Sequence, residues 1–195
     1  DEDPPMVKPI ATLRSATGVP TGRLAVWWVI ASEIVIFGGL LGSYLLHRLG
    51  HPEWATYASH TNTWAGAFNT LVLLSSSLSA VLAHNAAEKG NGARAANLLL
   101  VTCVGAVTFL VVKGFEWTHE IQQGFTITAN GFWSFYYCAA GLHGLHVIAG
   151  AIIMLFVAAD ARKNKELQRV ELIGIYWHFV DLVWIFLFPL LYIAK

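Results

Sequence analysis

The chain has 195 residues; 56% are hydrophobic, only 12% are charged, and mean hydropathy is +0.56. Soluble domains carry about 25% charged residues, so the composition is that of a membrane protein. Basic and acidic residues number 12 each and cancel, which leaves no basic footprint for nucleic acid. No P-loop, nucleophile elbow or dinucleotide fingerprint stands in the sequence either.

Residues 1–23 are charged and proline-rich. They lack the basic segment and apolar core of a signal peptide and are expected to form a surface arm ahead of a single domain over 24–195. Five apolar runs then approach or exceed the roughly 20 residues that cross a bilayer. The first, 24–46, contains Glu33, and the second, 64–83, has no charge. The third, 95–112, continues through Lys113 and Glu116, which are expected at the membrane edge. The fourth, 131–159, is long enough to tilt or protrude. The fifth, 172–194, contains His178 and Asp181. Backbone groups in hydrocarbon must pair internally, so these runs read as helices; the short alternating segments of a membrane barrel are absent. The fold class is all-α, an integral membrane bundle of five transmembrane helices.

Orientation follows from lysine and arginine. Lys8, Arg14, Arg23, Lys89, Arg94, Arg162, Lys163, Lys165 and Arg169 fall on one side, against Arg48, Lys113 and Lys195 on the other. The N-terminus is therefore expected in the cytoplasm and the C-terminus in the periplasm. Trp27, Trp28, Trp54, Trp64, Trp117 and Trp133 stand near span ends, where interfacial anchors belong. The Gly38/Gly42 pair, the serines at 75, 76, 77 and 79, and Gly141, Gly144 and Gly150 mark positions where helices can approach closely. Cys103 and Cys138 lie in apolar segments without metal spacing and read as small packing residues.

Ionisable residues within spans are expensive and should face protein. Glu33, near the centre of the first span, is either a proton-exchanging group or a neutral packing carboxyl. Asp181 and His178 are three apart and share a helical face; they can share a proton or act as a clasp. His143 and His146 have the same spacing. Zinc and iron sites need three or four ligands with defined outer shells. Glu116 and His119 have the Glu-x-x-His spacing of di-iron carboxylate sites, but no second copy exists. His143, His146 and His178 are accordingly read as an interhelical polar clasp, and Glu33, Asp181 and Glu116 as intramembrane carboxylates that could be proton-linked. A membrane cytochrome using the buried histidines, or a channel with Glu33 and Asp181 on its path, are the readings from other classes.

The stretch Tyr176-Trp177-His178-Phe179-Val180-Asp181-Leu182-Val183-Trp184 resembles the last-helix signature of subunit III of the haem–copper terminal oxidases. Gly141-Leu142-His143-Gly144-Leu145-His146-Val147 resembles that of the preceding helix. Asn69-Thr70-Leu71-Val72-Leu73-Leu74-Ser75-Ser76-Ser77 and Ser32-Glu33 are similar to two further motifs, and Gly114-Phe115-Glu116-Trp117 is a looser match. They occur in family order along nearly the whole chain.

The resemblance implies the short five-helix bacterial form, lacking two helices of the long form, in the bacterial cytoplasmic (inner) membrane. It implies a subunit of the aerobic respiratory chain with no catalytic residue, cofactor or metal of its own. Haem and copper would sit in partner subunits I and II, and cytochrome c would be the donor to the complex. Subunit III in this family packs on subunit I, binds structural phospholipid, and supports proton uptake and durability of the pump. Glu33 would match the family's carbodiimide-reactive carboxylate. Arg162, Trp27 and Trp28 are the candidates for lipid contact, although Asp160 stands where the family often places its lipid-binding arginine. Ser32-Glu33 favours a cytochrome c oxidase over a quinol oxidase; a nitric oxide reductase companion subunit is the remaining alternative.

Overall fold

The computed structural model describes residue 12 and residues 18–193, so most of the N-terminal arm, with Lys8 and Arg14, and Lys195 lie outside the described residues. Helix α1 covers Thr21–Gly50, α2 is a short helix over Trp54–Ala58, and α3 covers Thr63–Glu88. Helices α4 (Gly92–Gln122), α5 (Gly131–Arg162) and α6 (Gln168–Phe188) follow, and Pro189–Ile193 form a π-helical turn. Five of these helices are long and apolar enough to cross a membrane, with the last taken through Ile193. The longest have 30 to 32 residues, about 45–48 Å at 1.5 Å per residue. They outrun a hydrocarbon core of about 30 Å, so their polar ends continue the helix past the apolar stretch.

Local signals set the ends. Asn62, Asn91 and Asn130 cap α3, α4 and α5, each side chain accepting from a backbone N–H three residues on. After α3 and α4 the chain turns through Gly90 and Gly124 at positive φ, the conformation that glycine adopts without steric cost. Asn164 also adopts positive φ, and its side chain accepts from the Gly92 N–H at 3.0 Å, tying the α5–α6 turn to the start of α4.

Helices α3, α4, α5 and α6 form a ring of neighbours, α3 against α4, α4 against α5, α5 against α6 and α6 against α3. Helix α1 leans on the outside of this ring, against α6 and α5. It buries only Phe37 and Tyr44, and the Tyr44 hydroxyl donates to the Leu190 carbonyl at 3.0 Å.

Small residues mark contacts unevenly. A Cβ on Gly105 would lie 2.7 Å from Ser76 of α3, and one on Gly150 would lie 3.1 Å from the Trp177 ring of α6. Gly38 and Gly42, by contrast, meet nothing within 4 Å. Their side of α1 is open among the described residues.

The tryptophans also divide. Trp27, Trp28 and Trp64 are exposed, as anchors in lipid should be, whereas Trp54 and Trp133 are buried. Trp54 packs on Tyr44, Phe132 and Phe135, and Trp133 stacks on Phe125. Aromatic partners from neighbouring segments cover these two rings, so proximity to a span end does not bring them to the interface.

Candidate functional site

The carboxylate in the first span faces α5. Glu33 Oε2 lies 3.0 Å from His146 Nε2, and both side chains are largely covered. The other ring nitrogen, His146 Nδ1, sits 2.8 Å from the Leu142 carbonyl one turn back. A carbonyl only accepts, so Nδ1 must carry hydrogen. Phe37 closes the site edge-on, its ring centroid 5.3 Å from that of His146.

His178 of α6 turns to α3, where its Nδ1 is 2.6 Å from the Ser77 hydroxyl. Asp181, one turn further along, is buried, and among the described residues neither of its oxygens meets a donor with hydrogen-bond geometry. The polar contact of His178 is therefore to α3, although the two residues follow each other on α6. His143 is wholly buried between the rings of Phe109 (5.4 Å) and Trp184 (5.3 Å), and neither ring nitrogen has a hydrogen-bond partner. The three histidines thus have separate surroundings: His146 lies against α1, His178 against α3, and His143 in aromatic packing. Among the described residues no three His, Cys, Asp or Glu side chains converge as a metal-binding group.

Glu116 belongs to a larger polar cluster that spacing alone did not assemble. It is buried, not at an exposed edge, and so are Lys113 and Glu120. All three continue the buried stripe of α4 that runs through Leu99, Cys103, Ala106 and Phe109, at the three- and four-residue steps of one helical face. The Lys113 ammonium donates to Glu116 Oε2 and to the Tyr136 hydroxyl, each at 3.1 Å, and to the Tyr192 hydroxyl. It also lies 4.9–5.8 Å from the ring centroids of Tyr136, Tyr192, Trp184 and Trp117. All three ammonium donors are therefore used, and the surrounding π faces add to the hold on the cation. Tyr192 reaches the cluster because α6 ends at Phe188 and the π-helical turn over Pro189–Ile193 carries it inward.

The expected lipid contacts lie at the surface. Arg162 is exposed, donates to Asn97 Oδ1 at 2.8 Å, and lines a groove of about 360 Å³ with Leu100, Leu155 and Ala158. Asp160 pairs with Arg169 at 3.0 Å. A second groove, about 540 Å³, runs between α1, α5 and α6 past Val26, Val29, Ile153, Val157 and Leu172 to Arg169.

The family model for cytochrome c oxidase subunit III matches residues 16–195. The chain belongs to the cytochrome c oxidase subunit III family.

Curated members of the subunit III family are similar along most of their length. "Cytochrome c oxidase subunit 3" of Corynebacterium diphtheriae is 30% identical over 95% of this chain and 93% of its own. "Cytochrome c oxidase subunit 3" of Thermostichus vulcanus is 33% identical over 84% and 83% respectively. A third relative, "Heme-copper oxidase subunit I+III" of Aeropyrum pernix, is 31% identical over 88% of this chain but only 22% of its own length. Subunit III of a haem–copper oxidase is thus the functional class of the chain, and its five apolar helices make it a multi-pass membrane protein.

Proposed function

We propose that the chain is the non-catalytic subunit III of a proton-pumping cytochrome c oxidase in a bacterial inner membrane. It packs on subunit I, holds structural phospholipid, and supports proton uptake and the stability of the complex during aerobic respiration. Haem and copper reside in subunits I and II, which receive electrons from cytochrome c. The N-terminus faces the cytoplasm and the C-terminus the periplasm, in keeping with the excess of lysine and arginine on one side.

The observation that carries this reading is the open face of α1. Only two of its 30 residues are buried, and Gly38, Gly39 and Gly42 offer their backbone with nothing within 4 Å. Small-residue faces of this kind admit another helix closely, and a relative named as subunit I+III supports subunit I as the partner. Lipid is supported by the α1–α5–α6 groove, whose apolar walls suit an acyl chain; Arg169 at its end is paired with Asp160 and Glu166. Glu33, Asp181 and Glu116 are the carboxylates proposed to bear on proton uptake, and the histidine contacts at 146 and 178 fix helices against each other.

The test is co-purification of a tagged copy from native membranes in mild detergent. A haem-containing subunit I should come down with the chain, and native mass spectrometry should show bound phospholipid. Filling the groove with Val157→Trp should reduce the bound lipid without removing the haem partner. A tagged chain that purifies alone, or that binds haem itself, overturns the reading.

A further inference from the structure

The Lys113 cluster has an unbalanced charge count. Two buried carboxyl groups, Glu116 and Glu120, share one buried ammonium. Glu116 is the one joined to Lys113, at 3.1 Å. Among the described residues Glu120 has no cation of its own: its Oε1 accepts from the Tyr136 hydroxyl at 3.1 Å, and its Oε2 stands 3.5 Å from the Tyr137 hydroxyl. Both tyrosines have competing acceptors. Tyr136 also faces Glu116 Oε1 at 3.2 Å and Tyr192 at 3.0 Å, and Tyr137 donates to the Phe125 carbonyl at 2.8 Å. One hydroxyl proton cannot serve three acceptors.

Helix α4 ends at Gln122, which puts Glu120 in its last turn, where the partial negative charge of the carbonyl ends opposes an anion. Among the described residues the other titratable groups facing the cluster are His60 from the connection after α2, His119 of α4, Tyr136, Tyr137 and His143 of α5, and Tyr192, and none of them is a lysine or an arginine. A funnel of about 270 Å³ leads to the two carboxyls, lined by His60, Asn62, Ala65, Phe115 and His119. His119 is exposed at its rim and lies 2.9 Å from Gln123.

We propose that this cluster is a one-proton site: Lys113 and Glu116 form a fixed ion pair, and Glu120 takes up a proton from the water reached through the funnel. The uptake is a simple addition, carboxylate plus proton to carboxylic acid, with the Tyr136 hydroxyl as neighbour of either form. The proton restores neutrality to a buried group of one cation and two carboxyls.

Infrared spectroscopy of the full-length protein, purified with whatever partners it retains, tests the proposal. A protonated carboxyl gives a C=O stretching band that an ionised one lacks, and that band shifts when the proton is exchanged for deuterium. Near neutral pH, wild-type minus Glu120→Gln should show one such band lost. Glu116→Gln should lose the same band although Glu120 is still there, because with one carboxyl per ammonium the surplus charge is gone. The band should shift within the mixing time in D₂O and shift more slowly in Ala65→Trp, which plugs the funnel. If Glu120→Gln leaves the carboxyl region unchanged, or Glu116→Gln keeps the band, the one-proton assignment fails. A band that is present but shifts equally in Ala65→Trp overturns the funnel as its route. Tryptophan fluorescence of each variant distinguishes these outcomes from misfolding, since Trp117 and Trp184 border the cluster.

Discussion

Glu33 Oε2 and His146 Nε2 approach to 3.0 Å while His146 Nδ1 is committed as a donor to Leu142. Among the described residues the approach lacks hydrogen-bond geometry at Glu33 Oε2, so it is a close polar contact between α1 and α5. This contact, the Tyr44–Leu190 hydrogen bond and the Arg23–Glu171 pair (2.6 Å) fasten a helix that buries only two residues.

Glu33→Gln supplies an amide N–H to His146 Nε2 and should keep α1 docked, with unfolding within about 1 kcal/mol of wild type. Glu33→Leu leaves the ring nitrogen without a partner and should cost about 1–3 kcal/mol. Thermal unfolding of the purified protein in one detergent checks both. Equal loss in the two variants would mean that an amide at this position does not restore the contact with His146.

Lys113→Met should be among the most damaging single changes in the chain. It strands Glu116 in a buried site and removes the cation from four aromatic rings. Breaking one side of a buried pair costs about 3–5 kcal/mol. Removing the stranded charge as well, in Lys113→Met/Glu116→Gln, should recover part of that loss. A double variant less stable than Lys113→Met alone would contradict the pairing, read from chemical or thermal denaturation.

Gly92→Ala and Gly114→Ala make a matched pair on α4. A Cβ at Gly92 collides with the Ala161 carbonyl and the Asn164 side chain, whereas at Gly114 it meets nothing within 4 Å. The collision involves backbone and pushes α4 from α5, at a cost of about 1–3 kcal/mol. Gly114→Ala should stay within about 0.5 kcal/mol of wild type. Melting temperatures of the two variants in one detergent decide the matter.

Outside the spans, the exposed Glu53 carboxyl is held below its ordinary range, first by its own backbone N–H and then by His51 at 2.8 Å. A depressed value means that the contact adds stability above the unfolded-state titration. That contribution is lost as the pH falls through the folded-state value. His51→Ala removes only the second cause, so the carboxyl should titrate higher than in wild type but still below an ordinary glutamate. Carbon-detected NMR titration of the side chain measures this directly, and an unchanged titration would rule out the histidine's part.

Sequence was enough to give the number and apolar character of the five spanning helices; the short α2 at Trp54–Ala58 and the π-helical turn at Pro189–Ile193 emerged with the structure. Apolar runs near bilayer length leave a backbone no solvent but itself, and the three asparagines at 62, 91 and 130 cap helix starts through strictly local hydrogen bonds. It also singled out Glu33, His146 and His178 as residues that hydrocarbon would not tolerate unpaired. Tertiary structure alone decided the partners. Helical spacing says which residues share a face, not which helix that face meets, so His178 follows the geometry of α3 to Ser77, and Asp181 is not its hydrogen-bond partner. Lys113 and Glu120 stayed hidden for a related reason. Hydropathy counts a lysine and a glutamate as the end of a span, while their register with Leu99, Cys103 and Phe109 carries them into the core. There Tyr136 and Tyr192, 56 residues apart in sequence, meet at 3.0 Å to receive them.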